Sequence, residues 1–165
     1  MHRLLLLYSW LVRLMLGWLP DAPAIMRLRG AAYSIGMESA GKDFQVSSSV
    51  VIKNLEMLSV GDHVYFAPGV IINAIGRVRL DDEVMVGFNS VVVSGNHANE
   101  RGSFRVAQSI PKEVYIARGA WIGANSSVLA GAKIGSGCIL GANSCTAKCL
   151  VAGGVYGGVP ARRIK

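Results

Sequence analysis

A period of six runs through the second half of this chain. Ile116, Ile122, Val128, Ile134 and Leu140 stand six residues apart, and Thr146 keeps the phase. Four of these six are followed directly by Gly123, Gly135, Gly141 or the equally small Ala117. Two residues before each step lie Val114, Ala120, Ser126, Ala132, Cys138 and Ser144, nearly all small. An alternating strand repeats every two residues and a helix about every 3.6. Six is a solenoid period, left by a chain that stacks one short unit on the next. A sandwich or barrel of short Gly-rich strands gives no such constant phase and is set aside.

The phase extends backwards with one variation. Val46 and Ile52 form a pair, followed by Val60, Phe66 and Ile72, then by Leu80, Val86 and Val92. The step is six within a set and eight between sets, so early turns take twenty residues and later ones eighteen. Three short strands and three corners per turn make a triangular coil, its aliphatic residues inward and stacked on their equivalents one turn away. The chain's twenty glycines fall at fixed phase and so belong to corners rather than to a flexible linker. Five to six coils are expected between residues 35 and 155. The phase lapses only between Val93 and Val114, where a polar segment from Ser94 to Lys112 must project outward. Loops on rigid scaffolds tend to carry function.

Residues 1–34 follow another pattern. An apolar run from Leu4 to Leu19 is interrupted by Arg13 and closed by Pro20. A signal peptide could start at His2 and Arg3, but Arg13 breaks its apolar core and no small-x-small cleavage site precedes a clear mature start. The run is also short for a spanning helix. Two readings stay open. The helix packs on the domain or on a neighbouring subunit, or residues 1–20 lie in a membrane interface with Trp10, Trp18, Arg3 and Arg13 near the headgroups. A second short helix is expected from Ala24 to about Tyr33. The formal charge of +7 suits nucleic acid, an anionic membrane or a phosphorylated small molecule. No basic stripe with interleaved aromatics supports nucleic acid. The odd set Cys138, Cys145 and Cys149 reads as thiols of a reducing compartment, hence a cytoplasmic protein, with the inner face of the cytoplasmic membrane as a further site.

Three stretches carry a family resemblance over about residues 35–165. The first is Ile72-Asn73, then Val78 to Asn89, then His97. The second is Ala120-Trp121-Ile122-Gly123. The third is Gly141-Ala142-Asn143-Ser144, leading to Ala152-Gly153 and to Val159-Pro160-Ala161-Arg162. Together they resemble the hexapeptide-repeat acyltransferases, and within them the sugar and polysaccharide O-acetyltransferases of the galactoside and maltose type. The resemblance implies an all-β, left-handed parallel β-helix over 35–155 behind a helical segment 1–34, with the inserted loop 93–114 and a basic tail 156–165. It implies a homotrimer with sites between subunits, acetyl-CoA as donor, no metal, and a sugar or glycan acceptor, here a polysaccharide or lipopolysaccharide precursor.

Site residues follow. His97 opens the loop, and a histidine near neutral pKa suits removal of a proton from a sugar hydroxyl. By resemblance it is the general base. Glu100 is the nearest carboxylate and could orient the imidazole. The resemblance assigns Asn73 to the acceptor, with Asn89 a second candidate. Corner asparagines also occur for conformational reasons alone. Trp121 would wall the donor groove, with Ala142 and Lys148 flanking the pantetheine arm. Arg162, Arg163 and Lys165 would meet the phosphates. Ala147 stands where relatives often have threonine. N-acetylation of an amino sugar or other amine is the alternative on the same donor and fold. A zinc-dependent carbonic anhydrase of this fold needs three histidines, but position 102 is Gly and no histidine follows His97.

Overall fold

The computed structural model describes residues 2–165, with the backbone alone for His2. Two helices, α1 (His2–Leu16) and α2 (Pro23–Ser34), lead into six coils. Pro23 starts α2 where its missing N–H costs nothing. Coil 1 holds β1 (Ser39–Ala40), β2 (Gln45–Val46) and β3 (Val51–Lys53). A 3-10 turn at Leu55–Met57 enters coil 2, with β4 (Leu58–Val60), β5 (Tyr65–Phe66) and β6 (Ile71–Asn73). Coil 3 holds β7 (Val78–Leu80), β8 (Met85–Val86) and β9 (Val91–Val93). A hairpin of β10 (Gly95–His97) and β11 (Ser109–Pro111) then leaves the coil. Coil 4 holds β12 (Val114–Ile116), β13 (Trp121–Ile122) and β14 (Ser127–Val128). Coil 5 holds β15 (Lys133–Ile134), β16 (Ile139–Leu140) and β17 (Cys145–Thr146). Coil 6 has β18 (Cys149–Leu150) and β19 (Val155–Gly157), and β20 (Arg162–Arg163) follows.

These strands stack into three parallel faces of a left-handed solenoid. Face one runs β1-β4-β7-β12-β15-β18, face two β2-β5-β8-β13-β16-β19 with β20 added, and face three β3-β6-β9-β14-β17. Every residue of the expected inward ladder, from Val46 to Thr146, is buried. So are Val114, Ala120, Ser126, Ala132, Cys138 and Ser144, which explains their size. The interior is a narrow triangle packed to high density, and in the later coils a small side chain shares it with each ladder residue. Two of the buried hydroxyls are satisfied by corner carbonyls: Ser90 Oγ donates to Gly123 O (2.8 Å) and Ser126 Oγ to Gly141 O (2.9 Å). The glycine after the inward residue reflects close coil spacing. A Cβ on Gly123 would stand 2.6 Å from the nitrogen of Ala142 in the next coil.

Both ends are closed. At the first coil Gly30 lets α2 lie against coil 1, since a Cβ there would stand 1.9 Å from Phe44 O. Arg29, 2% exposed, ties the two helices and their linker to β2. At the last coil Tyr156 is buried, its hydroxyl accepting from Val151 N (2.8 Å). The coil therefore runs through Gly157, past the expected boundary at 155. Within the basic tail, β20 lies antiparallel on β19 with Arg163 opposite Tyr156.

Candidate active site

The hairpin that interrupts the repeat emerges from the corner between faces three and one. Ser94 anchors its base: Ser94 Oγ donates to Gly76 O (2.6 Å) and accepts from Gly76 N (3.0 Å). Beyond this anchor Gly95, Asn96 and His97 pair with Pro111, Ile110 and Ser109. His97 is thus held on a strand rather than a free loop, and its side chain is exposed. Glu100 lies in the tight turn beyond, bridged by its backbone to Ser103. No hydrogen bond or ion pair joins Glu100 to His97 among the described residues.

Asn73 ends β6 and stands between Lys53 and Val93 in register on face three. Its carbonyl accepts from Ser94 N (3.2 Å), so it adjoins the base of the His97 hairpin. Its side-chain amide has no partner among the described residues. Asn89 is different. It occupies the corner between faces two and three in the left-handed region, φ 55°, and Asn125 (φ 57°) and Asn143 (φ 56°) take the equivalent corners of the next two coils. Its N–H donates to Pro68 O (3.0 Å) in the coil before. That geometry accounts for asparagine at this position without a ligand.

Trp121 lies on face two, 49% exposed. Tyr65, Met85, Trp121, Ile139 and Val155 stand in register across five successive strands, making an outward apolar stripe. With Phe88 and Ala124, the first three line a shallow cleft beside the corner. Ala142 is exposed at that same corner one coil further on. The stripe ends at β20, so Arg162 and Arg163 stand at the edge of the face bearing Trp121. Lys165 closes the group, its carbonyl accepting from Arg163 Nε (3.1 Å). Met85, Phe88 and Ile139 were not singled out from sequence. Their signal is present, since Met85 and Ile139, like Trp121, directly precede an inward ladder residue.

Lys148 is not part of this group. It sits between β17 and β18, at the corner between faces three and one that also carries the hairpin. Lys112, at the hairpin's end, lies over Gly131 on that corner. One subunit therefore presents two separate sets: His97, Asn73, Lys112 and Lys148 around one corner, and Trp121, Ala142, Arg162 and Arg163 on the face beyond.

The remaining polar clusters are internally satisfied. On face one the Arg79 guanidinium stacks 5.6 Å over the Tyr115 ring, and the Tyr115 hydroxyl donates to Asp81 Oδ2. That bond and partial burial raise the Tyr115 pKa. Arg118 meets Glu83 at 2.7 Å, which lowers the Glu83 pKa. His63, at a solvent-facing corner (φ 58°), bonds Asp43 Oδ2 at 3.0 Å. Arg27, His63 and Gln45 together hold the Asp43 carboxyl down at about 2.

A solenoid of six-residue repeats with one hairpin insertion and an aromatic-lined face has the hexapeptide-repeat acetyltransferase fold. The family described as bacterial transferase hexapeptide (six repeats) matches residues 113–148. WcaF of Escherichia coli (strain K12), whose name provisionally assigns it acetyl transfer in colanic acid biosynthesis, is 24% identical over 155 residues. That match spans 94% of this chain and 78% of WcaF. Among solved structures, a hexapeptide-repeat acetyltransferase of Vibrio cholerae complexed with acetyl coenzyme A superposes with a TM-score of 0.87 at 20% identity, over 99% of this chain and 87% of that one. A galactoside acetyltransferase in complex with coenzyme A gives 0.87 at 19% identity, over 99% and 80%. A maltose O-acetyltransferase of Clostridium difficile 630 gives 0.79 at 20% identity, over 98% and 87%.

Proposed function

We propose that this chain transfers an acetyl group from acetyl-CoA to a hydroxyl of a sugar in a polysaccharide or lipopolysaccharide precursor. The observation that carries the reading is the interruption of the repeat by a hairpin that bears the exposed side chain of His97 and whose base adjoins Asn73. His97 takes the proton of the acceptor hydroxyl as that oxygen attacks the thioester carbonyl. The tetrahedral adduct then collapses, the carbon–sulfur bond breaks, and the CoA sulfur recovers the proton from His97. Asn73 holds the acceptor sugar by hydrogen bonding. No covalent acyl-enzyme and no metal enters these steps.

The donor arm lies along the apolar stripe at Trp121 and Ala142, and the CoA phosphates meet Arg162, Arg163 and Lys165. Within one chain the base's hairpin leaves the corner between faces three and one, opposite face two, which bears this stripe. The working site therefore lies between two subunits of a homotrimer, His97 of one facing the Trp121 stripe of its neighbour, with Lys148 on the base's side of the cleft.

Release of CoA in the presence of sugar acceptors tests the reading. General-base removal is worth about 10²–10⁴-fold in rate. His97→Ala should lose that much with near-normal acetyl-CoA binding, and full retained activity would overturn the assignment. Transfer to an amine is the second reading. It is favoured by the likeness to an N-acyltransferase of Bacillus cereus in complex with dTDP and coenzyme A, with a TM-score of 0.61 over 79% of this chain. Amino-sugar acceptors in the same assay separate the two.

A further inference from the structure

We propose that the outward face of α1 seats in an anionic phospholipid surface, and so holds the acceptor side of the site against that surface; the second clause rests on the acetyltransferase reading above. The helix packs on the first coil by a narrow stripe. Val12 and Ser9 are buried, Ser9 Oγ donating to Ile52 O (2.5 Å), and Tyr8 donates to Ala32 O (2.6 Å). The opposite face is mostly apolar, with Arg3 at its N-terminal end. Leu4, Leu7, Leu11, Leu14 and Met15 are exposed along it, with Trp18 just past its end, and Leu4 is 69% and Trp18 78% exposed. A helix that is apolar all round is normally buried on all sides. On a monomer the largest apolar patch is on the order of 300–600 Å² and is often functional. Five leucine and methionine side chains of α1, with Trp18 just past its end, form an exposed apolar patch.

Charge and length select the occupant. Residues 2–20 contain no acidic residue, while Arg3 and Arg13 are exposed and make no ion pair among the described residues. Lys53, beside the helix on β3, is likewise exposed and unpaired. Glu56, on the turn against which α1 packs, is half-buried rather than on the outward face. Trp10, on the flank towards Arg13 and Lys53, joins Trp18 as an amphipathic ring suited to headgroup level. Apolar side chains with basic flanks fit an anionic bilayer, where cationic side chains reach the phosphates as leucines enter the acyl boundary. No helix among the described residues is long and apolar enough to cross a membrane. Fifteen residues span roughly 22 Å, so α1 lies along the surface.

That seating has a consequence for the acceptor. The helix rests on β3, and Lys53, Asn73 and Val93 follow one another in register from β3 towards the His97 hairpin. Two strand spacings, about 10 Å, separate Lys53 from Val93. A glycan carried on a lipid would thus present its first sugars near Asn73.

Flotation of the full chain with phosphatidylcholine vesicles, with and without phosphatidylglycerol, tests the proposal. Wild type should float with the anionic vesicles and at least about tenfold less with the neutral ones. Leu7→Glu/Leu11→Glu, on the outward face only, should lower that partition at least about tenfold with an unchanged melting midpoint. No flotation with anionic vesicles, or equal flotation of the double variant, would overturn the proposal. So would a lipid-free assembly, seen by sedimentation, that the double variant dissociates while wild type ignores vesicles; the face would then belong to a second copy of the chain. Acetylation of a water-soluble acceptor without lipid reads the catalytic assignment separately, and the double variant should leave it unchanged.

Discussion

Arg29 fastens the N-terminal helices to the coil, and its removal should cost more than any surface change. The guanidinium makes five hydrogen bonds. Nε donates to Leu16 O (3.0 Å), Nη1 to Asp21 Oδ1 (2.7 Å) and Val46 O (3.2 Å), and Nη2 to Leu19 O and Pro20 O. All five guanidinium protons are thus used. Arg29→Ala leaves four carbonyls short of a charged donor, strips Asp21 of its cation and opens a cavity. Breaking a buried ion pair from one side costs about 3–5 kcal/mol. Asp21 is 30% exposed and keeps Ser48 N at 2.8 Å, which puts the cost towards the lower end. Domains of this kind are stable by only about 5–15 kcal/mol. With a urea slope of roughly 2 kcal/mol per molar, the midpoint should fall by about 1.5–2.5 M at fixed protein concentration. Circular dichroism follows the transition, and a reduced slope would mark separate loss of the helices. Arg29→Met restores volume but not the hydrogen bonds, so the gap between Met and Ala isolates the cavity. A shift below about 0.5 M in Arg29→Ala, or a Met variant matching wild type, would refute the fastening role.

Two further changes probe the donor face and the corner charges. Trp121→Ala should raise KM for acetyl-CoA about tenfold with little change in kcat, as expected for an aromatic wall worth about 1.4 kcal/mol; an unchanged KM would remove the residue from the donor site. The Asp43 carboxyl is held at about 2 in the folded chain, below the ordinary aspartate value, by Arg27, His63 and Gln45. Its stabilising contribution is therefore full above pH 4 and lost as the pH falls towards 2. Because the carboxylate is partly exposed, the loss should be about 0.2–1 kcal/mol. Urea midpoints of Asp43→Asn and wild type should therefore converge between pH 4 and pH 2, and a constant gap would show that the ion pairs contribute nothing.

The repeat made the scaffold legible because each inward position answers to the same steric requirement in every coil. Fourteen inward residues could be assigned from Val46 to Thr146 by counting alone, and all are buried. The interruption was legible for the same reason, since a hairpin cannot keep a phase of six. Tertiary closure was not. Nothing local in Arg162 and Arg163 says that they turn back onto β19, because that pairing depends on the coil having run out of further strands to offer. Arg29 was equally silent. A basic residue in a short helix reads as a solvated charge until the carbonyls of Leu16, Leu19 and Pro20 are seen to converge on it. Asn89 carries two signals at once: its amide is a candidate for the acceptor, and its tolerance of left-handed backbone suits the corner it occupies, as at Asn125 and Asn143.

The same stacking that fixes the core also sorts the chemistry by face. A side chain one position before an inward residue must point out, and parallel register puts its counterparts directly above and below it. Met85, Trp121 and Ile139 therefore cannot help forming a continuous stripe on face two. Asn73 and Lys53 are aligned in the same way on face three, one strand apart. A rigid prism has no means of folding one of these faces onto the other. In the homotrimer proposed above, a reaction that uses both His97 and the Trp121 stripe takes the second face from another copy of the chain.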